Sequence, residues 1–197
     1  MPILAAAALL QFHDACHARA GWAKGESAAA ADGLWQALED NHRCNCLLWD
    51  EEDLARRRNV ADAEIAKNKR AIDGYNQKRN DAIERIDEHL LRMLPEARAD
   101  ARLSSETAGA LCDRLSILSL KIHHMRLQTL RSDVDRAHVE SCLQKLDRLN
   151  EQRADLAACL DRLLAECASG ASRFKVYRQF KMYNDPKLNP AIYGEKR

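Results

Sequence analysis

Four acid–base side chains, His42, Asp73, Asp113 and His124, fall within stretches of helical hydrophobic spacing and are the candidates for proton transfer. An imidazole titrates near neutral pH, and a neighbouring carboxylate can orient it, which is what general acid–base work requires. Cations accompany them. Arg79, Arg114, Lys121 and Lys181 would neutralise an anion, while Asn76, Asn80 and Asn184 would hold hydroxyl groups through their amides. A second dense segment, residues 41–56, interleaves Asn41, Asn45 and Trp49 with acids and reads as a surface that wraps a polar ligand. Together these residue types point to a site for an anionic small molecule.

Their spacing places several of them inside the molecule. Ile65, Lys69, Ile72, Asn76, Arg79, Ile83, Ile86 and Leu90 share one helix face, turned toward the other helices. Asn76 and Arg79 thus stand on a core-facing stripe, where a polar group needs partners because burying it alone costs on the order of several kcal/mol. Arg79 is expected to be buried and paired with a carboxylate. Two arrangements fit: a satisfied ion-pair network that fixes helix register, or a polar pocket within the bundle. The density of mixed charge favours the pocket.

Metal-binding patterns are weaker. Glu39-x-x-His42 is half of a di-iron signature, but no second copy exists. Cys44 and Cys46 lack a second Cys or His pair at matched spacing and read as ordinary thiols. Glu51 and Glu52, followed on the next helix by Glu84 and Asp87, resemble the acidic pattern of the all-α MazG-type nucleotide pyrophosphohydrolases, although at a longer separation. That resemblance implies four magnesium-holding carboxylates, since oxygen ligands suit this ion. No nucleophile elbow and no phosphate-binding glycine loop accompanies these residues.

The elements that must position them are helices. With 197 residues, 46 % hydrophobic and 31 % charged, 7 Gly, 4 Pro and 10 aromatic residues, the chain suits a single all-α domain over residues 1–197 and not a many-stranded β fold. Five helices are predicted, at about Ile3–Ala20, Leu34–Arg57, Asp62–Met93, Ser104 or Ser105 to Leu130, and Val134–Ala168. Pro95 ends the third and Gly170 the fifth. The fourth is apolar on two faces and belongs in the centre. Short connections predict a compact antiparallel bundle. Seven cysteines, an odd number, suit a reducing compartment, so a cytoplasmic protein is expected, and no stretch is long and apolar enough to span a membrane.

A net charge of +1 gives no global pull toward nucleic acid. The segment 171–197 is basic, with seven cations against two acids, and carries Phe174, Tyr177, Phe180, Tyr183 and Tyr193. It is expected to dock on the bundle instead of binding nucleic acid. Tyr177, Phe180 and Tyr183 recur every three residues, as one face of a short helix would, and Asn184-Asp185-Pro186 reads as a turn.

Four blocks carry a resemblance: NHRCNCLLWDEEDLARR at 41–57, NKRAIDGYNQKRNDAIERID at 68–87, DRLSILSLKIHHM at 113–125 and YRQFKMYNDPKLNP at 177–190. They resemble the bacterial DUF family 4254, and the blocks coincide with the polar segments chosen above. The resemblance implies one helical domain of about this length and brings no established activity. It also implies a setting beside lipopolysaccharide-assembly glycosyltransferases of the heptosyltransferase type. The ligand would then be a phosphorylated sugar or nucleotide sugar. Alternatively, the protein would be a non-catalytic partner of such a glycosyltransferase.

Overall fold

Long amphipathic stretches with few interruptions dominate the sequence, and the computed structural model, which describes residues 3–25, 33–182 and 185–194, is all-α and compact. Helix α1 spans Ala6–His17; Gly21, at φ +70, then opens a one-turn 3-10 helix at Trp22–Lys24. The long helices follow as α2 (Gly33–Ala55), α3 (Asp62–Met93), α4 (Ala108–Thr129) and α5 (Arg136–Ala168), with a short α6 at Pro190–Tyr193. The main pairings are α2 with α3 and α4 with α5, and α4 also touches α1, α2 and α3. Its central place matches its two apolar faces, and the short α2–α3 and α4–α5 connections are compatible with antiparallel neighbours.

Leu9, Leu38, Ile86, Leu90, Leu115 and Leu160 are fully buried and join α1 to α5 in one core. On the α3 stripe Ile72, Ile86 and Leu90 are buried, Asn76 and Arg79 are half-buried, and Lys69 is exposed. Apolar burial weakens toward the end of α3 that carries the polar groups.

Several boundaries differ from the sequence expectation. Helix α4 is capped by Thr107, whose hydroxyl accepts from the Ala110 amide at 3.1 Å, and not by Ser104 or Ser105. The reason is long-range: Arg102–Leu103 (β1) pairs in parallel with Ser172–Arg173 (β2), and the Ser104 amide donates to the Arg173 carbonyl at 2.8 Å. Residues committed to that ladder cannot also turn into a helix. Asp135 caps α5 through the His138 amide, and Gly170, at φ +72, follows its end.

Beyond β2 the chain lies against α3. Phe174 enters the core, and Arg178 donates to Glu84 at 2.6 Å and also to Glu88. The expected helix at 177–183 is not formed over its described part, and Tyr177 and Phe180 are exposed. Ion pairs hold this stretch out of a helix, and among the described residues of the segment Phe174 is the one buried aromatic anchor. The turn at Asp185 is present, with the Lys187 amide donating to the Asp185 carboxylate at 2.8 Å. Tyr183 and Asn184 lie outside the described residues. Among the described residues no helix is long and apolar enough to cross a membrane.

Candidate functional site

Asp113, buried on α4, is the hub of a polar lattice linking α2, α3 and α4. Arg79 reaches it from α3 as a two-pronged clamp, Nε to Oδ1 at 2.9 Å and Nη2 to Oδ2 at 2.8 Å. Asn41 and Asn45, one turn apart on α2, each donate to Oδ1 at 2.9 Å. Asn45 also donates to Ser116 Oγ at 3.0 Å, and that hydroxyl meets His42 Nδ1 at 2.8 Å. Asn76 receives a long contact from Arg79 Nη1 at 3.4 Å. The lattice exists because α2 places Asn41, His42 and Asn45 on its buried face, where aliphatic residues would otherwise pack. Its charges are paired, as buried charges must be.

One cleft adjoins this lattice, and a second meets the first at Trp49 and Asp53. The smaller, about 360 Å³, lies between α2, α3 and α4 and is lined by Asn45, Trp49, Asp53, Asn76 and Arg79 among others. The larger, about 1030 Å³, lies along α4 and α5 and includes Trp49, Asp53, Lys121, His124, Lys145 and Arg148. Trp49 and Asp53 line both. The Trp49 ring stacks on His124, centroids 4.3 Å apart and planes 6° from parallel. Arg148 is paired with Glu151, whereas Lys121 and Lys145 have no hydrogen-bond or ion-pair partner among the described residues.

The family profile described as Protein of unknown function (DUF4254) matches residues 35–176. The chain belongs to the DUF4254 family. No curated protein and no solved structure matches it. The DUF4254 span takes in the whole Asp113 lattice, both clefts and the Phe174 anchor. It leaves out α1 and Lys181.

The remaining expected site residues are scattered around this centre. Asp73 is paired with Lys69 on its own helix, and Arg114 turns outward to Glu106 at 2.6 Å. Asn80, half-buried, lines neither cleft. Lys181 is half-buried, and burial first, then Arg79, holds its pKa below the usual lysine value while Asp81 and Asp73 oppose. The four acidic residues of the magnesium pattern are not brought together. Glu51 accepts from Asn68 at 2.6 Å near the start of α3, whereas Glu84 stands 16 residues further along, roughly 24 Å at the rise of an α-helix. Glu52 pairs with Arg56, Glu84 with Arg178, and Asp87 accepts from the Gly109 amide at 2.6 Å.

A row of histidines runs behind the Trp49 wall. His124 meets His123 edge-on at 5.3 Å, His123 stacks on His17 at 4.7 Å, His17 meets His42 at 4.8 Å, and His42 stacks on His13 at 4.3 Å. Burial is the main cause that lowers their pKa values, to about 3 for His13 and about 4 for His17, with His42 and His124 also lowered. The rings of His13, His17, His42 and His124 are therefore neutral at pH 7. Cys46 Sγ lies 4.0 Å from His42 Nε2, and burial pushes its thiol up to about 12. The sequence reading missed His13, His17, His123, Ser116 and Cys46 as site residues. One signal was available: His13 with His17, and His42 with Cys46, are each four residues apart and so share a helix face.

Proposed function

We propose that this DUF4254 protein binds an anionic small molecule of the phosphorylated-sugar class in the clefts that meet at Trp49. The observation that carries the reading is the grouping, in one cleft of ligand size, of an aromatic wall with Lys121 and Lys145, which have no partner among the described residues. An ammonium without a protein partner is available to a phosphate, and Asp53 and Gln128 supply acceptors and donors for sugar hydroxyls. Arg79 lines the smaller cleft, but its guanidinium is engaged with Asp113, so it orders the wall instead of serving as the main anion clamp. Of the four acid–base candidates, His124 reaches the larger cleft; neutral at pH 7, it is the base if chemistry follows binding. A bacterial cytoplasmic setting fits a chain whose seven cysteines are all free.

Titration calorimetry with glucose 1-phosphate and with glucose tests the reading. The phosphorylated sugar should bind and the neutral one should not. The exposed substitutions Lys121→Ala and Lys145→Ala should each weaken binding about tenfold, the worth of a charge-assisted hydrogen bond. Equal behaviour of the two sugars, or binding unchanged in the double variant, would contradict it.

A second reading, the non-catalytic partner of a glycosyltransferase, has its own support. Phe180 is 86 % exposed, and Met182, Leu188 and Tyr193 are exposed on the same terminal segment. Co-elution with a glycosyltransferase that is lost in Phe180→Ser would favour this reading, and separate elution of the two proteins would remove it.

A further inference from the structure

We propose that His17, His42 and Cys46 form a zinc site, a centre with two imidazole ligands and one thiolate, between the end of α1 and the middle of α2. Among the described residues, these are the only histidine, cysteine or acidic side chains that bring three ligand atoms within 4.8 Å of one another. Nitrogen and sulfur donors suit a borderline-soft ion such as Zn²⁺, whereas Mg²⁺ and Ca²⁺ take oxygen ligands. His42 and Cys46 stand one turn apart on α2, with Nε2 and Sγ separated by 4.0 Å. Tetrahedral zinc at its usual bond lengths holds such atoms about 3.5 Å apart. Closure therefore asks for small side-chain rotations, about 1 Å at the widest pair.

Two further observations converge on the same place. His17 Nε2 is, among the described residues, the one buried side-chain nitrogen or oxygen without a hydrogen-bond partner. Buried polar atoms are seldom left in that condition, and an ion is one standing reason for it. His42 Nδ1 lies 2.8 Å from Ser116 Oγ, which is itself held by Asn45. With Nδ1–H donating to that hydroxyl, Nε2 presents its lone pair to the metal, the outer-shell orientation that metal-binding histidines use. On binding, the Cys46 thiol gives its proton to solvent and sulfur bonds zinc as thiolate, while both imidazoles bind neutral. Three protein ligands leave a fourth position for water or a bound molecule. The site is separate from the sugar-phosphate cleft and does not rest on that reading, although only His123 stands between His17 and the cleft-lining His124.

The test uses the full chain, reduced and stripped with a chelator, then titrated with Zn²⁺ and with Co²⁺ as a spectroscopic substitute. One zinc per chain should survive gel filtration. The cobalt form should show tetrahedral visible bands and a thiolate-to-cobalt charge-transfer band in the near ultraviolet. Cys46→Ser should abolish the charge-transfer band, and Cys44→Ser should leave it intact. His17→Gln, at a partly exposed position, should cut zinc affinity while circular dichroism stays helical, and Ser116→Ala should weaken it about tenfold. Absence of stoichiometric zinc uptake by the folded wild type, or a charge-transfer band that persists in Cys46→Ser, would overturn the assignment. Glucose 1-phosphate titrations of the same stripped samples separate failure of this site from failure of the cleft.

Discussion

Asp113 accepts from Arg79 twice, from Asn41 and from Asn45, so its removal strands one guanidinium and two buried amides at once. Asp113→Ala should cost about 3 to 5 kcal/mol in urea unfolding. Arg79→Ala should cost less, because Arg79 keeps 27 % of its side-chain exposure and Asp113 would retain both asparagine donors. Equal costs would mean that the asparagines contribute nothing. Asp87 behaves differently, since burial first, with Glu84 adding, raises its pKa to about 6 against the hydrogen bonds from Thr107 and Gly109. The folded value lies above the unfolded one, so the protonated form is the favoured one in the fold. Its contribution is complete below about pH 4 and is lost as pH rises through about 6, by up to about 3 kcal/mol. Asp87→Asn, neutral throughout, should therefore gain on wild type between about pH 4 and pH 7. Parallel stability curves for the two proteins would refute this.

Among the elements, the α3–α4 crossing depends on a glycine. A Cβ on Gly109 would stand 2.5 Å from the Ile83 carbonyl oxygen and 2.9 Å from Asp87 Oδ1. Gly109→Ala should destabilise by about 1 to 3 kcal/mol despite the better helix propensity of alanine. Gly74, also within a helix but with nothing near its Cβ position, should gain about 0.5 to 1 kcal/mol on the same change. Melting temperatures moving together in the two variants would contradict the packing account. The long helices were legible in the sequence because their apolar spacing repeats over many turns, and the pairing of Arg79 with a carboxylate followed from the α3 stripe, although Arg79 is half-buried where full burial was expected. The Thr107 cap was not, because it follows from the pairing of residues 102–103 with 172–173, which local spacing does not record. The histidine row was missed for a similar reason: its rings come from α1, α2 and α4, and each alone resembles an ordinary core histidine. The clefts depend on which cations find partners after packing, so Lys121 was anticipated and Lys145 was not.

For the molecule as a whole, the DUF4254 match ends at residue 176, just past the last deeply buried side chain of the terminal segment. Truncation after Val176 should therefore change the melting temperature little, since it removes mainly the half-exposed Arg178 pairs, which solvent and salt screen. Truncation after Gly170 also removes Phe174 and Ser172 and should cost at least about 3 kcal/mol. Similar melting of the two truncated forms would show that Phe174 does not anchor the segment. Trp49 is the wall of the proposed anion-binding cleft, and the side-chain indole N–H signals of ¹⁵N-labelled protein test that role directly. During titration with glucose 1-phosphate, the Trp49 signal, assigned by its loss in Trp49→Phe, should shift saturably while those of Trp22 and Trp35 stay in place. A Trp49 signal unmoved by the sugar phosphate, or moved equally by glucose, would contradict the account.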